Sequence, residues 1–187
     1  MPFSKAGVGP ILRSDKVLLR PPNMGDFDAW VDIRKSSRKF LEPWEATWRE
    51  DEFTRTSFRY RLHIYNKQSE EDRSQALFIF EPHKNELLGA IGLNNIRRGV
   101  SQTASLGYWI GQAHARHGYM TAATSLLLDH AYFDMGLHRV EAACLPANTP
   151  SIALLKKTGF EQEGYAKSYL KIAGIWHDHL LFARLKT

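Results

Sequence analysis

The sequence predicts one α/β domain built as a mixed sheet with helices on both faces, and three observations carry that reading. The apolar period switches along the chain, giving the order strand, two helices, three strands, helix, strand, short helix, two strands. One stretch contains such a switch within itself. Ser105-Leu106-Gly107-Tyr108-Trp109-Ile110-Gly111 alternates like a half-buried strand, with Leu106, Tyr108 and Ile110 on one face and Trp109 on the other. Ala123, Leu126, Leu127, His130 and Phe133 then share a helical stripe, with Thr121, Ser125 and Asp129 on the wetter side. Finally, 187 residues with 43% apolar and 24% charged content suit a single soluble domain with a sizeable core.

Residues 1–14, with two Gly and two Pro, read as a loose N-terminal lead-in, which leaves residues 15–187 as the domain. Val17-Leu18-Leu19-Arg20 is a short strand stopped by Pro21-Pro22, and Asn23 with Asp26 forms a capping-box-like helix start. Phe27, Trp30 and Val31 are the apolar face of that helix. Phe40 to Glu45 reads as an aromatic loop, and a second helix as running from about Glu50 to Tyr65 with Phe58 and Leu62 inward. Ala76–Glu81 and Leu87–Ile96 are strands of a hairpin-type connection. The helix at 118–135 ends at Gly136, Arg139–Leu145 is a strand, and Asn148-Thr149-Pro150-Ser151 starts a short helix that Gly159 stops. Phe160–Tyr169 and Ile175–Leu185 form a closing hairpin.

Composition narrows the function classes. The net charge of +5 suits attraction of cofactor phosphates or RNA, but the basic residues are scattered apart from Arg34-Lys35, Arg38-Lys39 and Arg97-Arg98. Nucleic-acid binding is therefore not expected as the main function. The eight His are dispersed, and His177-Asp178-His179 is the only tight cluster, with no evident third ligand, so no metal is expected. Cys144 is the only cysteine and falls on the apolar register of a strand, which predicts packing rather than nucleophilic catalysis. No apolar run approaches a membrane span, and no signal-peptide core appears at the N-terminus, so a cytoplasmic location and no membrane partner are expected.

A helix that starts at Gly118 presents unpaired N–H groups and a partial positive charge, which suit a phosphate, and Gly118 permits close approach to the main chain. A packing or turn role for the glycine fits the same spacing. The segment resembles the acetyl-CoA-binding motif of the GNAT superfamily of N-acyltransferases, Gln/Arg-x-x-Gly-x-Gly/Ala, which reads here Ala115-Arg116-His117-Gly118-Tyr119-Met120. The glycine matches, while the first position is Ala115 and the last Met120. Asn148-Thr149-Pro150-Ser151, followed by Leu154-Leu155 and Gly159-Phe160, resembles a second motif of that superfamily. Phe40-Leu41-x-Pro43-Trp44-Glu45, Gly107-Tyr108, His138-Arg139, Glu163-Gly164-Tyr165, Tyr169-Leu170 and Trp176-x-Asp178-His179 resemble its RimJ-like, ribosomal-protein-alanine N-acetyltransferase branch.

The resemblance implies a GNAT-type fold, with a mainly antiparallel sheet and a splayed central strand pair. It implies acetyl-CoA as co-substrate in the splay and no metal. Backbone groups of Trp109, Ile110 and Gly111 would pair with the pantetheine, and N–H groups of Arg116, His117, Gly118, Tyr119, Met120 and Thr121 would hold the pyrophosphate. The Asn148 side chain would contact the pantetheine arm. A deprotonated amine would attack the thioester directly. The Tyr that many members carry as proton donor is Leu155 here, so Ser151 is the candidate donor to the thiolate, with helix capping as its other role. Glu45 is the candidate base, with Asp178 and His179 also considered. Phe40, Trp44, Glu45, Tyr169 and His179 are the candidate substrate contacts.

The expected reaction is acetylation of a protein N-terminus, a ribosomal protein beginning with Ala or Ser. The alternatives are acetylation of a small amine and a non-catalytic acetyl-CoA-binding ribosome factor. Oligomeric state is not encoded in any motif.

Overall fold

The computed structural model describes residues 7–186, so the first six residues of the expected lead-in and Thr187 lie outside the described residues. The strands are β1 (Leu12–Arg13), β2 (Leu18–Arg20), β3 (Gln75–Phe80), β4 (Leu87–Arg97), β5 (Thr103–Ile110), β6 (Arg139–Cys144), β7 (Glu161–Ile172) and β8 (Ile175–Leu185). They form one sheet in the order β1-β2-β3-β4-β5-β6-β8-β7. Every neighbouring pair is antiparallel except β5 and β6. The lead-in is thus not wholly loose, because Leu12 and Arg13 pair with Leu19 and Leu18.

Helices α1 (Phe27–Ser36) and α3 (Arg55–Glu70) cover one face of the sheet, while α4 (Tyr119–Asp129) and α5 (Thr149–Lys157) cover the other, and the short α2 (Arg38–Leu41) follows α1. The first face buries Phe27, Trp30, Phe58, Leu62, Phe78 and Phe80. The second buries Val17, Leu19, Leu106, Ala123, Leu127 and Leu155 with others. Period 2 in β5 divides its side chains as the sequence predicts: Leu106, Tyr108 and Ile110 go to the second cluster and Trp109 to the first.

Local signals place several element ends. Asn23 and Asp26 do form a reciprocal capping box, around a 3-10 turn (Met24–Asp26) that leads into α1. α3 begins at Arg55 rather than near Glu50, because the Thr54 hydroxyl accepts from the Ser57 N–H and fixes the start there. The expected Phe40–Glu45 loop is helical instead: α2 runs into a 3-10 turn, Glu42–Trp44, with Leu41 as its buried anchor. After α4 the chain makes a π-helical turn, His130–Asp134, with the Met135 N–H reaching back to the His130 carbonyl at 3.0 Å. That extra residue per turn rotates Tyr132 into the core and leaves Phe133 67% exposed, off the predicted stripe.

Gly92 of β4 and Gly107 of β5 face each other across the ladder, and they differ in how much room they have. A Cβ on Gly92 would lie 2.5 Å from the Gln75 carbonyl oxygen, whereas the nearest atom to one on Gly107 is Asn94 Nδ2 at 3.2 Å. Gly92→Ala is expected to cost about 1–3 kcal/mol by forcing β3 and β4 apart. At this chain length each kcal/mol lowers the melting temperature by roughly 2–4 °C. Gly107→Ala should melt within a degree or two of the parent. Thermal denaturation of the two variants side by side checks both.

Candidate active site

The site begins where β5 and β6 part. Their parallel pairing covers only Thr103–Ser105 against Arg139–Glu141. Beyond it β5 stays with β4 out to the Gly89–Ile110 pair, and β6 stays with β8 out to the Cys144–Leu180 pair. The strands therefore fork, and the edge of β5 from Leu106 to Ile110 that faces β6 has no strand partner. Backbone polar groups on such an edge need a hydrogen-bonding occupant or water. Trp109 and Ile110 lie on this edge. Gly111 is different, because its N–H donates to the Leu88 carbonyl at 2.9 Å and its carbonyl accepts from His114. It also lacks room for a side chain, since a Cβ would lie 2.6 Å from Ile33.

Past the fork the chain makes a 3-10 turn, Gln112–His114, and then a left-handed residue at Arg116 (φ 66°) and another at Gly118 (φ 77°) before α4. Alternating hand in this way turns successive N–H groups toward one side, a nest suited to an anion. None of the N–H groups of residues 116–121 donates to a protein acceptor among the described residues, the first protein-bonded one being Ala122 to the Gly118 carbonyl. The N–H groups of Arg116, His117, Gly118, Tyr119, Met120 and Thr121 are thus free donors, whatever the side chains at the first and last positions of the motif.

Two hydroxyls meet at the fork. The Tyr108 hydroxyl on β5 lies 2.5 Å from Ser151 Oγ on α5. Asn148 is the N-cap of α5, its Oδ1 accepting from the Ser151 N–H at 3.1 Å. The cap is therefore Asn148, and the Ser151 hydroxyl, beyond the capping bond, points to Tyr108. Burial pushes the Tyr108 hydroxyl up to about 12, so it stays protonated across the physiological range. Burial also pushes the Cys144 thiol up, next to Ser151, which keeps it a packed thiol rather than a nucleophile. Leu155 is fully buried in the core and offers no proton donor.

On the other side of β5 lies a cavity of about 440 Å³ lined by Trp30, Trp48, Trp109, Tyr65 and Tyr108, with Asn94 and the Gly92–Gly107 floor. Two ion pairs are set into its wall. Arg34 holds Glu45 bidentately at 2.7 and 2.6 Å, and Trp48 Nε1 donates to the same carboxylate at 2.8 Å. The Arg34 guanidinium stacks on Trp48 and Trp109 with centroid distances of 4.4 and 4.9 Å. Arg61 pairs with Glu52 at 2.5 Å, and the carboxylate is buried. Residues 45–49 form one wall of the cavity, and the tip of the β7–β8 hairpin ties to it, since the Ala173 N–H donates to the Glu45 carbonyl at 3.1 Å.

The sequence-derived substrate contacts divide accordingly. Glu45 is in the cavity wall. Phe40 and Trp44 are half-buried outside the lining, and the aromatic wall is Trp48 and Trp109 instead. Tyr169 and His179 stack edge-on at 5.8 Å in the β7–β8 hairpin, where His179 is buried and shares its Nδ1 with the His177 carbonyl at 3.0 Å. Asp178 is held below the usual carboxylate range by the Tyr165 hydroxyl and then by the Ser168 N–H, which makes it a weak base. Among the described residues no three His, Cys, Asp or Glu side chains come together as a metal site. No described helix is long and apolar enough to cross a membrane.

The sequence assigned no site role to Tyr108, Arg34, Trp48, Glu52 or Arg61, yet two of them left a signal. Arg34 continues the apolar stripe of α1 after Phe27, Trp30 and Val31, and Arg61 lies between Phe58, Leu62 and Tyr65 on the stripe of α3. A guanidinium on an apolar helical face needs a buried partner.

A forked sheet with a nest of free N–H groups at one end and buried hydroxyls at the fork defines a site for a long, phosphate-bearing acyl donor. The chain belongs to the acetyltransferase (GNAT) domain family, whose model matches residues 16–161, and it is an acetyl-CoA-dependent N-acetyltransferase. It is 34% identical over 174 residues to the ribosomal protein uS5-alanine N-acetyltransferase of Escherichia coli (strain K12), covering 92% of this chain and 89% of that one. The structure of Mycobacterium smegmatis RimJ in complex with CoA-disulfide superposes with a TM-score of 0.86 at 35% identity, over 95% of this chain and 86% of that one. The ribosomal-protein-S5-alanine acetyltransferase of Vibrio fischeri superposes with a TM-score of 0.87 at 25% identity, over 95% and 97% of the two chains.

The Arg34–Glu45 pair is expected to hold the cavity wall in place. Glu45→Gln leaves a buried guanidinium without its counter-charge, a loss of about 3–5 kcal/mol. Replacing both partners by Met should recover most of that stability, because no buried charge is left unpaired. Thermal melts of Glu45→Gln and of the double Met variant decide whether the pair has this structural role.

Proposed function

We propose that the protein transfers the acetyl group of acetyl-CoA to the N-terminal α-amino group of a ribosomal protein that begins with Ala or Ser, in the cytoplasm. The observation that carries this reading is the double position of Tyr108, which lines the 440 Å³ cavity and also reaches Ser151 at the fork. One residue thus joins the place for an acceptor to the place for the thioester. The likeness to alanine N-acetyltransferases of ribosomal proteins supports the acceptor class.

The chemistry follows from these groups. The free amine attacks the thioester carbonyl carbon, a C–N bond forms, and the C–S bond breaks. The departing sulfur takes a proton from the Tyr108–Ser151 hydroxyl pair, and the proton of the new ammonium passes to water in the cavity, which restores the pair. Trp109 and Ile110 hold the pantetheine along the open edge of β5, the N–H groups of residues 116–121 hold the pyrophosphate, and the free Nδ2 of Asn148 donates to the arm. Glu45 shapes the acceptor wall with Arg34 and orients the incoming amine. Tyr169 and His179 bound the acceptor's approach from the β7–β8 hairpin, while Phe40 and Trp44, outside the cavity lining, make no direct acceptor contact.

Acceptor choice has a physical basis. A terminal α-amine has a pKa near 8 and a Lys side chain one near 10.4, so at neutral pH the free-base fraction differs by roughly 250-fold. The ion pairs of the cavity are charge-balanced, and no unpaired general base stands in the wall, so an amine that sheds its own proton is favoured.

Kinetics with acetyl-CoA and two peptide sets, one with free Ala or Ser N-termini and one with blocked termini and internal Lys, test the proposal. Activity is expected on the first set only. Tyr108→Phe and Ser151→Ala should each lower kcat by roughly 10²-fold, as loss of a donor to a developing anion does. The double variant should lose little more, because the two hydroxyls act as one unit. Preference for Lys, or full turnover in both single variants, would overturn the assignment.

A further inference from the structure

Lys16 is a basic residue that no part of the mechanism above uses. It sits in the turn between β1 and β2, and that turn is rigid. The Ser14 N–H donates to the Val17 carbonyl at 2.9 Å, and Ser14 Oγ accepts from the Val17 and Lys16 N–H groups at 3.1 and 3.3 Å. Val17 and Leu19, on either side of Leu18, are fully buried in the same cluster as Met120, Ala123 and Leu127 of α4. The hairpin is therefore locked against the helix whose start is the anion nest.

The side chain continues that approach. Lys16 Nζ lies 3.1 Å from the point a Cβ on Gly118 would occupy, with Cε at 3.7 Å, and 5.7 Å from the centre of the Tyr119 ring. None of the ion pairs among the described residues involves Lys16. An ammonium group thus stands beside unpaired N–H donors at the positive end of α4, an arrangement that repels itself until an anion arrives.

We propose that Lys16 is a cofactor-binding residue, its ammonium group contacting the pyrophosphate of acetyl-CoA beside the 116–121 backbone donors. The inference rests on the reading of that loop as the pyrophosphate cradle. Lysine suits the task as a compact point charge, able to follow either phosphate of a diphosphate diester without demanding a bidentate geometry.

The test measures binding of CoA, 3′-dephospho-CoA and, as a kinetic substrate, acetyl-pantetheine, which lacks phosphate. Lys16→Met keeps the aliphatic stem, and melting curves establish that it is folded. Its affinities for CoA and 3′-dephospho-CoA are expected to fall equally, by roughly tenfold for one partly exposed charge-assisted contact, and to lose part of their salt dependence. Its kcat/KM for acetyl-pantetheine should be unchanged, and Lys16→Arg should retain most of the affinity. Unchanged affinity for CoA overturns the proposal, and so does a loss seen with CoA but not with 3′-dephospho-CoA, which moves the contact to the 3′-phosphate. Gly118→Asp separates this from the underlying reading. If it weakens CoA binding while Lys16→Met does not, the loop is the cradle and Lys16 is idle. If neither variant matters, the cradle itself is misplaced.

Discussion

The structure depends on a parallel pairing that stops early. β5 and β6 share a ladder only as far as Ser105 and Glu141, and each then follows its antiparallel neighbour away from the other. An open backbone edge inside a sheet is costly unless something fills it. Here the opening is held by the surrounding packing: Leu106, Tyr108 and Ile110 pack against α4 and α5, while Trp109 packs against α1 and α3. The hydroxyl contact from Tyr108 to Ser151 spans the gap between β5 and the helix that follows β6. On the proposed reading, cofactor, acceptor and the Tyr108–Ser151 hydroxyls all take their positions from this one divergence.

Features formed by residues close in sequence were legible before the structure. The Asn23–Asp26 capping box, the helix start at Asn148–Ser151, the strand-to-helix change around Gly118 and the period-2 division of β5 all depend on spacings of a few residues, although the cap of that helix is Asn148 and not Ser151. Features formed across long separations were not. Tyr108 and Ser151 are 43 positions apart, and no periodicity links them. Trp48 replaces Trp44 as the cavity wall because α2 and its 3-10 turn coil what reads as an extended loop, which carries Trp44 off the lining. The π-helical turn after α4 likewise has no residue signature, and it displaced Phe133 from its predicted stripe.

The buried arginines lie between these cases. Arg34 and Arg61 occupy apolar faces of α1 and α3, which marks them as unusual, but their partners Glu45 and Glu52 lie in the irregular segment between those helices. That segment has little regular structure of its own. It is pinned by the two guanidinium groups, by the indole of Trp48 and by the Ala173 N–H at the hairpin tip. Desolvating two ion pairs is a poor way to gain stability. It is a good way to fix a particular loop geometry around a cavity, because each carboxylate must reach one guanidinium.

The charges of the two halves of the site also differ in a way that matches their proposed occupants. At the cofactor end the positive groups are uncompensated: the N–H donors of residues 116–121 have no protein acceptor, and neither Lys16 nor exposed Arg116 forms an ion pair among the described residues. A diphosphate is the occupant that relieves that excess. At the acceptor end each carboxylate is matched by a guanidinium. An unmatched carboxylate there would favour the ammonium form and raise the amine's pKa, so fewer acceptors would carry the lone pair that attacks the thioester. A balanced cavity leaves the pKa of a terminal amine near its ordinary value, already close to neutral. On the reading proposed above, Arg34 and Arg61 therefore act on the acceptor without touching the reacting atoms: by neutralising Glu45 and Glu52 they keep the cavity from trapping the unreactive form of its substrate.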